Sequence, residues 1–182
     1  MSAKRLFVYL LSAVAAALLG ACSQPAPVSK AAVKPDPQAQ ADANTQAIVA
    51  SIRAAGAQFE SSVEVKPLRD PAVDGLLKQA HDFEAQNQIP QALDAVSRAL
   101  KIAPNAPDIL QFEAELQIQA HDWNEAGTLA QKSWELGPKV GALCARNQQT
   151  IVHVRESRGD AAGATQAKQQ LSGCKVPAPA RY

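Results

Sequence analysis

The sequence predicts an all-α protein: a stack of antiparallel helix hairpins, preceded by one further helix and a disordered N-terminal tether. Two observations predict it. Two segments of 34 residues follow one another from Val73 to Val140, and Ala80, Ala92 and Pro104 of the first recur as Ala114, Ala126 and Pro138 of the second. Stacked hairpins need small residues where helices cross and a proline where the second helix must stop. The second observation is compositional: hydrophobic residues make up 47% of the 182-residue chain but aromatics only 4%, so much of the apolar content is alanine. Such a composition packs helices closely through small side chains. The length argues for one domain.

Residues 1–21 read as an export signal, with Lys4 and Arg5 as its positive end and Leu6 to Leu19 as an apolar run too short to span a bilayer. The run closes in Leu19-Gly20-Ala21-Cys22, which resembles the lipobox of bacterial lipoproteins. That resemblance implies lipid attachment to the Cys22 sulfur, cleavage before Cys22 and acylation of the new amino terminus, and several acyl chains together anchor stably. The alternative is an ordinary signal peptide with a coincidental cysteine. Ser23, rather than an aspartate, follows the cysteine, so the expected address is the outer membrane, facing the periplasm. Residues 22–43 are rich in Pro, Ala, Gln and Ser without a hydrophobic period, and are expected to be a disordered tether reaching up to about 60 Å.

Residues 44–72 are expected to hold a short amphipathic helix, Asn44 to Ser61, and an extended connector. Ile48, Ile52 and Phe59 fall on one side of that helix, with Ala55 between them. It is expected to cap the end of the stack, the alternatives being a recognition helix, a lid, or a segment that occupies the groove of the stack itself. Val63-Glu64-Val65-Lys66 alternates like a strand but has no second run to pair with, and Pro67 and Pro71 keep the chain extended.

The repeat domain is expected over residues 73–175. Its first hairpin places Leu76, Leu77, Ala80 and Phe83 on one face of a helix from Val73 to Gln86, and Pro90 opens the second helix, which ends at Pro104. The second hairpin repeats the plan around a turn at His121-Asp122-Trp123. A third, degenerate hairpin runs over 141–174, with Asp160 as N-cap and Gly173 as stop, and residues 176–182 form a flexible tail. Gln79-Ala80-His81-Asp82 recurs as Gln119-Ala120-His121-Asp122 at an offset of forty, where the other landmarks disagree, so that match is chance.

Laid out this way, the hairpins resemble the tetratricopeptide repeat family. Leu76 and Leu110, Ala80 and Ala114, Ala92 and Ala126, and Pro104 and Pro138 stand where the family carries its signature residues. Gln79 and Glu113 depart from a usual leucine, and Gln117 from a usual aromatic that Phe83 supplies in the first repeat. The resemblance implies a right-handed stack whose first helices line a concave peptide-binding groove. Carried over residue by residue, that groove is Asp74, Leu77, His81 and Glu84, then Asp108, Gln111, Glu115 and Ile118, with Phe112 beside it. This mixed acidic and apolar set suits a basic, partly apolar segment, either extended peptide or helix.

Cys144 and Cys174 remain once Cys22 is lipidated. They lie at the neighbouring ends of the third hairpin, which predicts a disulfide between them in a compartment that permits one. A redox-active or metal-binding pair is the sharper alternative, but their separation is far from a Cys-x-x-Cys spacing. His81, His121 and His153 belong to different hairpins and form no metal-ligand motif, and no phosphate loop, cofactor motif or catalytic constellation is present. Of the 18 basic side chains, Lys4 and Arg5 lie in the signal segment, leaving 16 against 17 acidic ones and no electrostatic case for nucleic acid. The expected function is therefore a membrane-anchored scaffold or assembly factor that binds another envelope protein or peptide segment. The alternatives are an envelope redox or enzymatic protein using Cys144 and Cys174, or a self-occluded structural lipoprotein. Oligomeric state is left open.

Overall fold

The computed structural model describes residues 36–59 and 68–175. The signal segment, Cys22, the tether up to residue 35, the alternating run with Pro67, and the tail from 176 lie outside them. Within the described residues the chain forms α1 (Pro37–Ala57), α2 (Pro71–Ala85), α3 (Ile89–Ile102), α4 (Pro107–Gln119), α5 (Trp123–Leu136), α6 (Gly141–Ser157) and α7 (Ala161–Ser172). α2 with α3, α4 with α5 and α6 with α7 make three hairpins, stacked in that order. No described helix is long and apolar enough to cross a membrane.

Local chemistry sets where the helices start. The carboxylates of Asp36, Asp70, Asp122 and Asp160 accept backbone N–H bonds of 2.8–2.9 Å from Gln38, Ala72, Glu125 and Gly163. Pro37, Pro71, Pro90 and Pro107 occupy first turns, where a missing N–H costs nothing. Two expectations are corrected by this pairing of cap and proline. α1 begins at Pro37, so residues 37–43 are helix rather than tether, and it stops at Ala57 rather than Ser61. Pro71 opens α2 instead of prolonging the connector.

One turn closes all three hairpins. Asn87 donates its N–H to the Glu84 carbonyl and Gln88 donates to Phe83, both at 2.8 Å. The same two bonds recur from His121 to Ile118 and Asp122 to Gln117, and from Gly159 to Glu156 and Asp160 to Arg155. This is the Schellman arrangement, whose central residue must be left-handed. Asn87, His121 and Gly159 accordingly have φ of 57°, 62° and 71°. His81, by contrast, lies inside α2, so the two like tetrapeptides around His81 and His121 occupy unlike places.

Ala80, Ala92, Ala114 and Ala126 are all fully buried at the crossings. Val73, Val96, Ala99, Ile109, Phe112 and Leu116 form the main cluster of the first two hairpins. Within the second hairpin the Ser133 hydroxyl donates to the Pro107 carbonyl at 2.6 Å, tying α5 to the start of α4. Cys144 and Cys174 are joined by a disulfide with their Cα atoms 5.6 Å apart, and the Gly141 N–H donates to the Cys174 carbonyl beside it. The third hairpin also holds a polar fault: Asn147 and Gln148 are buried, and their side chains meet no hydrogen-bond partner among the described residues.

α1 does not cap the stack. It lies across the first helices of the hairpins, packed mainly on α6 and also on α4. Its Val49 and Ile52 enter a cluster with Ile118, Ala126 and Val154, against which Trp123 packs. Gly56 makes this approach feasible, because a Cβ there would meet the Arg146 side chain at 2.7 Å. The expectation of a cap was wrong because the apolar stripe of α1 is matched by apolar surface on α4 and α6, and because the cation beside that stripe has two carboxylates waiting there.

Candidate functional site

The concave face is built by α2, α4 and α6, and its chemistry centres on Glu115. That carboxylate is 0% exposed, at the middle of α4. It accepts from Arg53 Nε of α1 at 2.8 Å, from Arg146 Nε and Nη2 of α6 at 2.8 and 2.6 Å, and from Gln111 Nε2 at 2.9 Å. Gln111 Nε2 also lies 2.8 Å from the Thr150 hydroxyl. Arg53 Nη2 then reaches Glu84 Oε1 of α2 at 2.8 Å, and Gln119 Nε2 donates to the same oxygen at 2.6 Å. One arginine of α1 thus joins two hairpins, and one buried glutamate joins α1 to α6.

The ionisation states follow from these contacts. Burial alone would raise the Glu84 pKa, but His81, Arg53 and the Gln119 amide outweigh it and hold the group at about 2. His81 Nδ1 stands 3.7 Å from Glu84 Oε2, too long for a full hydrogen bond, so the direct bonds from Arg53 and Gln119 dominate the geometry. Burial likewise works against the Arg53 cation, and Glu115 and Glu84 more than offset it, leaving its pKa raised.

The expected groove residues separate into two sets. Gln111, Phe112, Glu115 and Ile118 are all buried to 4% exposure or less, and they do not face an open groove. α1 covers this half of the concave face, its one cation Arg53 pairing with Glu84 and Glu115 and its Val49 and Ile52 meeting apolar side chains of α4 and α6. His81 and Glu84 line a cleft that remains open beside α1. Leu77 packs into the core of the first hairpin, Asp74 is exposed and Asp108 pairs with Arg69. Sequence reasoning missed Arg53, Arg146 and Gln119. The available signal was Arg53 itself, the cation of an alanine-rich helix, adjacent to Ile52 and one turn after Val49.

The open cleft has a volume of about 650 Å³ and runs between α1 and the first hairpin. It shares Gln46, Asn87 and Gln119 with a second hollow of about 380 Å³ that continues to Ile89, Pro90 and Leu93. The two form one trough. The left-handed turn residues fix α1 along it: Gln46 Nε2 donates to Asn87 Oδ1 at 3.1 Å, and His121 Nε2 lies 2.8 Å from Asp42 Oδ1. His81 stacks on Phe112 with ring centroids 4.2 Å apart, closing the wall on the α4 side. Among the described residues, no group of three or more His, Cys, Asp or Glu side chains is placed to hold a metal ion.

On its far side α1 meets His153 of α6, whose Nε2 lies 3.0 Å from both Ser51 Oγ and Gln149 Nε2. Burial lowers the His153 pKa below its ordinary 6.5, with nearby Lys168 adding to the effect and Glu156 opposing it. Because the folded state takes up this proton less readily than the unfolded chain, stability is full above about pH 6.5 and falls as the pH drops towards the lowered value. The expected result is a thermal midpoint that declines on acidification below pH 6.5, with a shallower decline in His153→Gln. Parallel pH profiles for the two proteins would remove His153 from the account.

No protein-family model matches the chain. Cellulose synthase 1 operon protein C of Komagataeibacter xylinus is 33% identical over 86 residues, which make up 47% of this chain and 6% of that protein. The chain therefore spans only a small part of that relative. Among solved structures, the globular C-terminal domain of P. aeruginosa LpoP is similar, with a TM-score of 0.53 and 28% identity. The match covers 58% of this chain and 99% of that one. The fold is thus an all-α stack of the kind seen in that domain.

Proposed function

We propose that this chain is a lipid-anchored lipoprotein of the bacterial outer membrane, whose helical domain faces the periplasm and binds a peptide segment of another envelope protein as a scaffold or assembly factor. The observation that carries the reading is the trough beside α1. It follows α1 from Asp42 to Arg53, about 16 Å at 1.5 Å per residue, room for about five residues of extended chain. Gln46, Asn87 and Gln119 line it, and a carboxamide offers both a donor and an acceptor, as a peptide backbone requires. Ile89, Pro90 and Leu93 provide an apolar end for one side chain. Glu84 and Arg53 are already paired with each other, so the trough favours an extended segment with an apolar anchor over a highly charged one. The lipobox supports the anchor, and the likeness to a domain that is C-terminal in its own protein supports a helical module carried behind an N-terminal segment.

A photo-crosslinking residue at Gln46 of the full-length protein in its envelope tests this reading. The expected result is one protein adduct at Gln46, absent when the residue is placed at Gln131 on α5, and reduced several-fold by Asn87→Gly, which keeps the left-handed turn but removes the carboxamide. Equal adducts at both sites, or none, would leave a self-occluded structural domain as the better reading. Release of the Cys22→Ser protein from the membrane fraction is the accompanying expectation for the anchor.

A further inference from the structure

We propose a second interaction surface, separate from the trough: the outer end of the first hairpin docks an amphipathic helix of a partner protein, which crosses α2 at Gly75. The repeat itself shows what this face receives. At the 34-residue spacing, Ala72, Gly75, Leu76 and Gln79 of α2 correspond to Ala106, Ile109, Leu110 and Glu113 around the start of α4. There the face is covered by a helix. Ile109 is 1% exposed and clusters with Val96 and Ala99 of α3, and Leu110 belongs to a cluster against which Leu100 of α3 packs. The fold therefore uses this side of a hairpin to seat the second helix of the preceding one.

At the first hairpin, no helix among the described residues covers that side. α1 would be the nearest candidate, and it lies in the concave face instead. What remains is a hollow of about 430 Å³ lined by Ala72, Gly75, Leu76, Gln79, Arg98 and Ile102. Ile102 is 48% exposed at its rim. Gly75 adds an independent sign. Glycine within a helix destabilises it relative to alanine. Nothing in the described chain requires it here, since a Cβ at Gly75 would meet no atom within 4 Å. A bare backbone beside Ala72 lets a second helix approach closely, in the way Gly56 lets α1 lie against α6.

The occupant is a helix from a different protein rather than a second copy. Head-to-tail stacking of copies would bring up α7, whose exposed Thr165, Gln166, Lys168 and Gln169 form a polar outer face. That end of the stack is finished for water, whereas the first is not. The partner helix would carry small residues opposite Gly75, aliphatic side chains for Leu76 and Ile102, and a carboxylate for Arg98. Arg98 is only loosely engaged by Asp94 at 3.9 Å, with both side chains more than half exposed.

The test places a photo-crosslinking residue at Gln79 of the full-length protein in its envelope, with and without Gly75→Leu. The expected result is an adduct whose peptide maps to an amphipathic helix of another protein. Gly75→Leu, which fills the hollow, should reduce it at least tenfold, and Asn87→Gly in the trough should leave it unchanged. Gly75→Leu should melt no lower than wild type, since leucine favours the helix over glycine, so loss of the adduct would not reflect unfolding. An adduct to residues 22–35 or 60–67 of this chain, an adduct to a second copy, no adduct, or an adduct insensitive to Gly75→Leu would each overturn the proposal. Sensitivity to Asn87→Gly would do so as well, by showing that the two surfaces are one.

Discussion

Replacing Glu115 with alanine should destabilise the folded domain by about 3 kcal/mol, the lower end of the cost of breaking a buried ion pair. The carboxylate is fully buried and serves Arg53, Arg146 and Gln111 together, so its loss leaves two guanidinium groups and an amide without their shared acceptor. The lower end applies because the Arg53 and Arg146 side chains are 39% and 27% exposed, and water partly compensates them. The effect should also be directional. Arg53 is the residue through which α1 holds both α2 and α4, so α1 should become the first segment cleaved by protease. Urea midpoints for Glu115→Ala and Arg53→Ala would check this, with the second expected to cost less because Arg146 still neutralises Glu115. A loss below about 1 kcal/mol in Glu115→Ala would mean that apolar packing of Val49 and Ile52 alone seats α1.

The Cys144→Ser, Cys174→Ser double variant should lose about 3 to 4 kcal/mol, the loop-entropy value for the 30-residue separation the bond closes. The third hairpin has particular need of it. α7 buries only Ala164 and Ala167 of its 12 residues, and α6 carries the unpartnered Asn147 and Gln148. Packing there supplies less than in the first two hairpins, and the bond compensates by restricting the unfolded chain. Reductant should lower the wild-type midpoint by the same amount and leave the double variant unmoved. Hydrogen exchange should quicken first in α7 and at the Gly141 amide, which is held by the Cys174 carbonyl. Equal midpoints for the two proteins in oxidising buffer would reject a structural role and return attention to redox chemistry at these cysteines.

Much of the fold was legible because its signals are short-range. Asp160 and Gly173 bounded the second helix of the degenerate hairpin correctly, and the alanines at the crossings kept their register through polar substitutions at Gln79 and Glu113. The extent of α1 was misread through its composition. Pro, Ala and Gln over residues 37–43 resemble tether, whereas Asp36 before Pro37 is a helix start whose force depends on apolar surface being available later in the chain. The residues carried over as a groove lie on α2 and α4, but their exposure was not legible, because burial of Gln111 or Glu115 depends on which helix arrives to cover them.

The sequence by itself determined the hairpins: their 34-residue register, their caps and stops, and the adjacency of Cys144 and Cys174. Each of these rests on interactions within a turn or between neighbouring helices. Only the tertiary structure decided where α1 goes. A stripe such as Val49 and Ile52 can bury itself on any apolar surface, since hydrophobic attraction is non-directional. The choice was made by contacts distant in sequence: Arg53 between Glu84 and Glu115, and Gly56 against Arg146. Those contacts close half of the concave face, leave the trough, and leave the outer side of the first hairpin without a covering helix among the described residues.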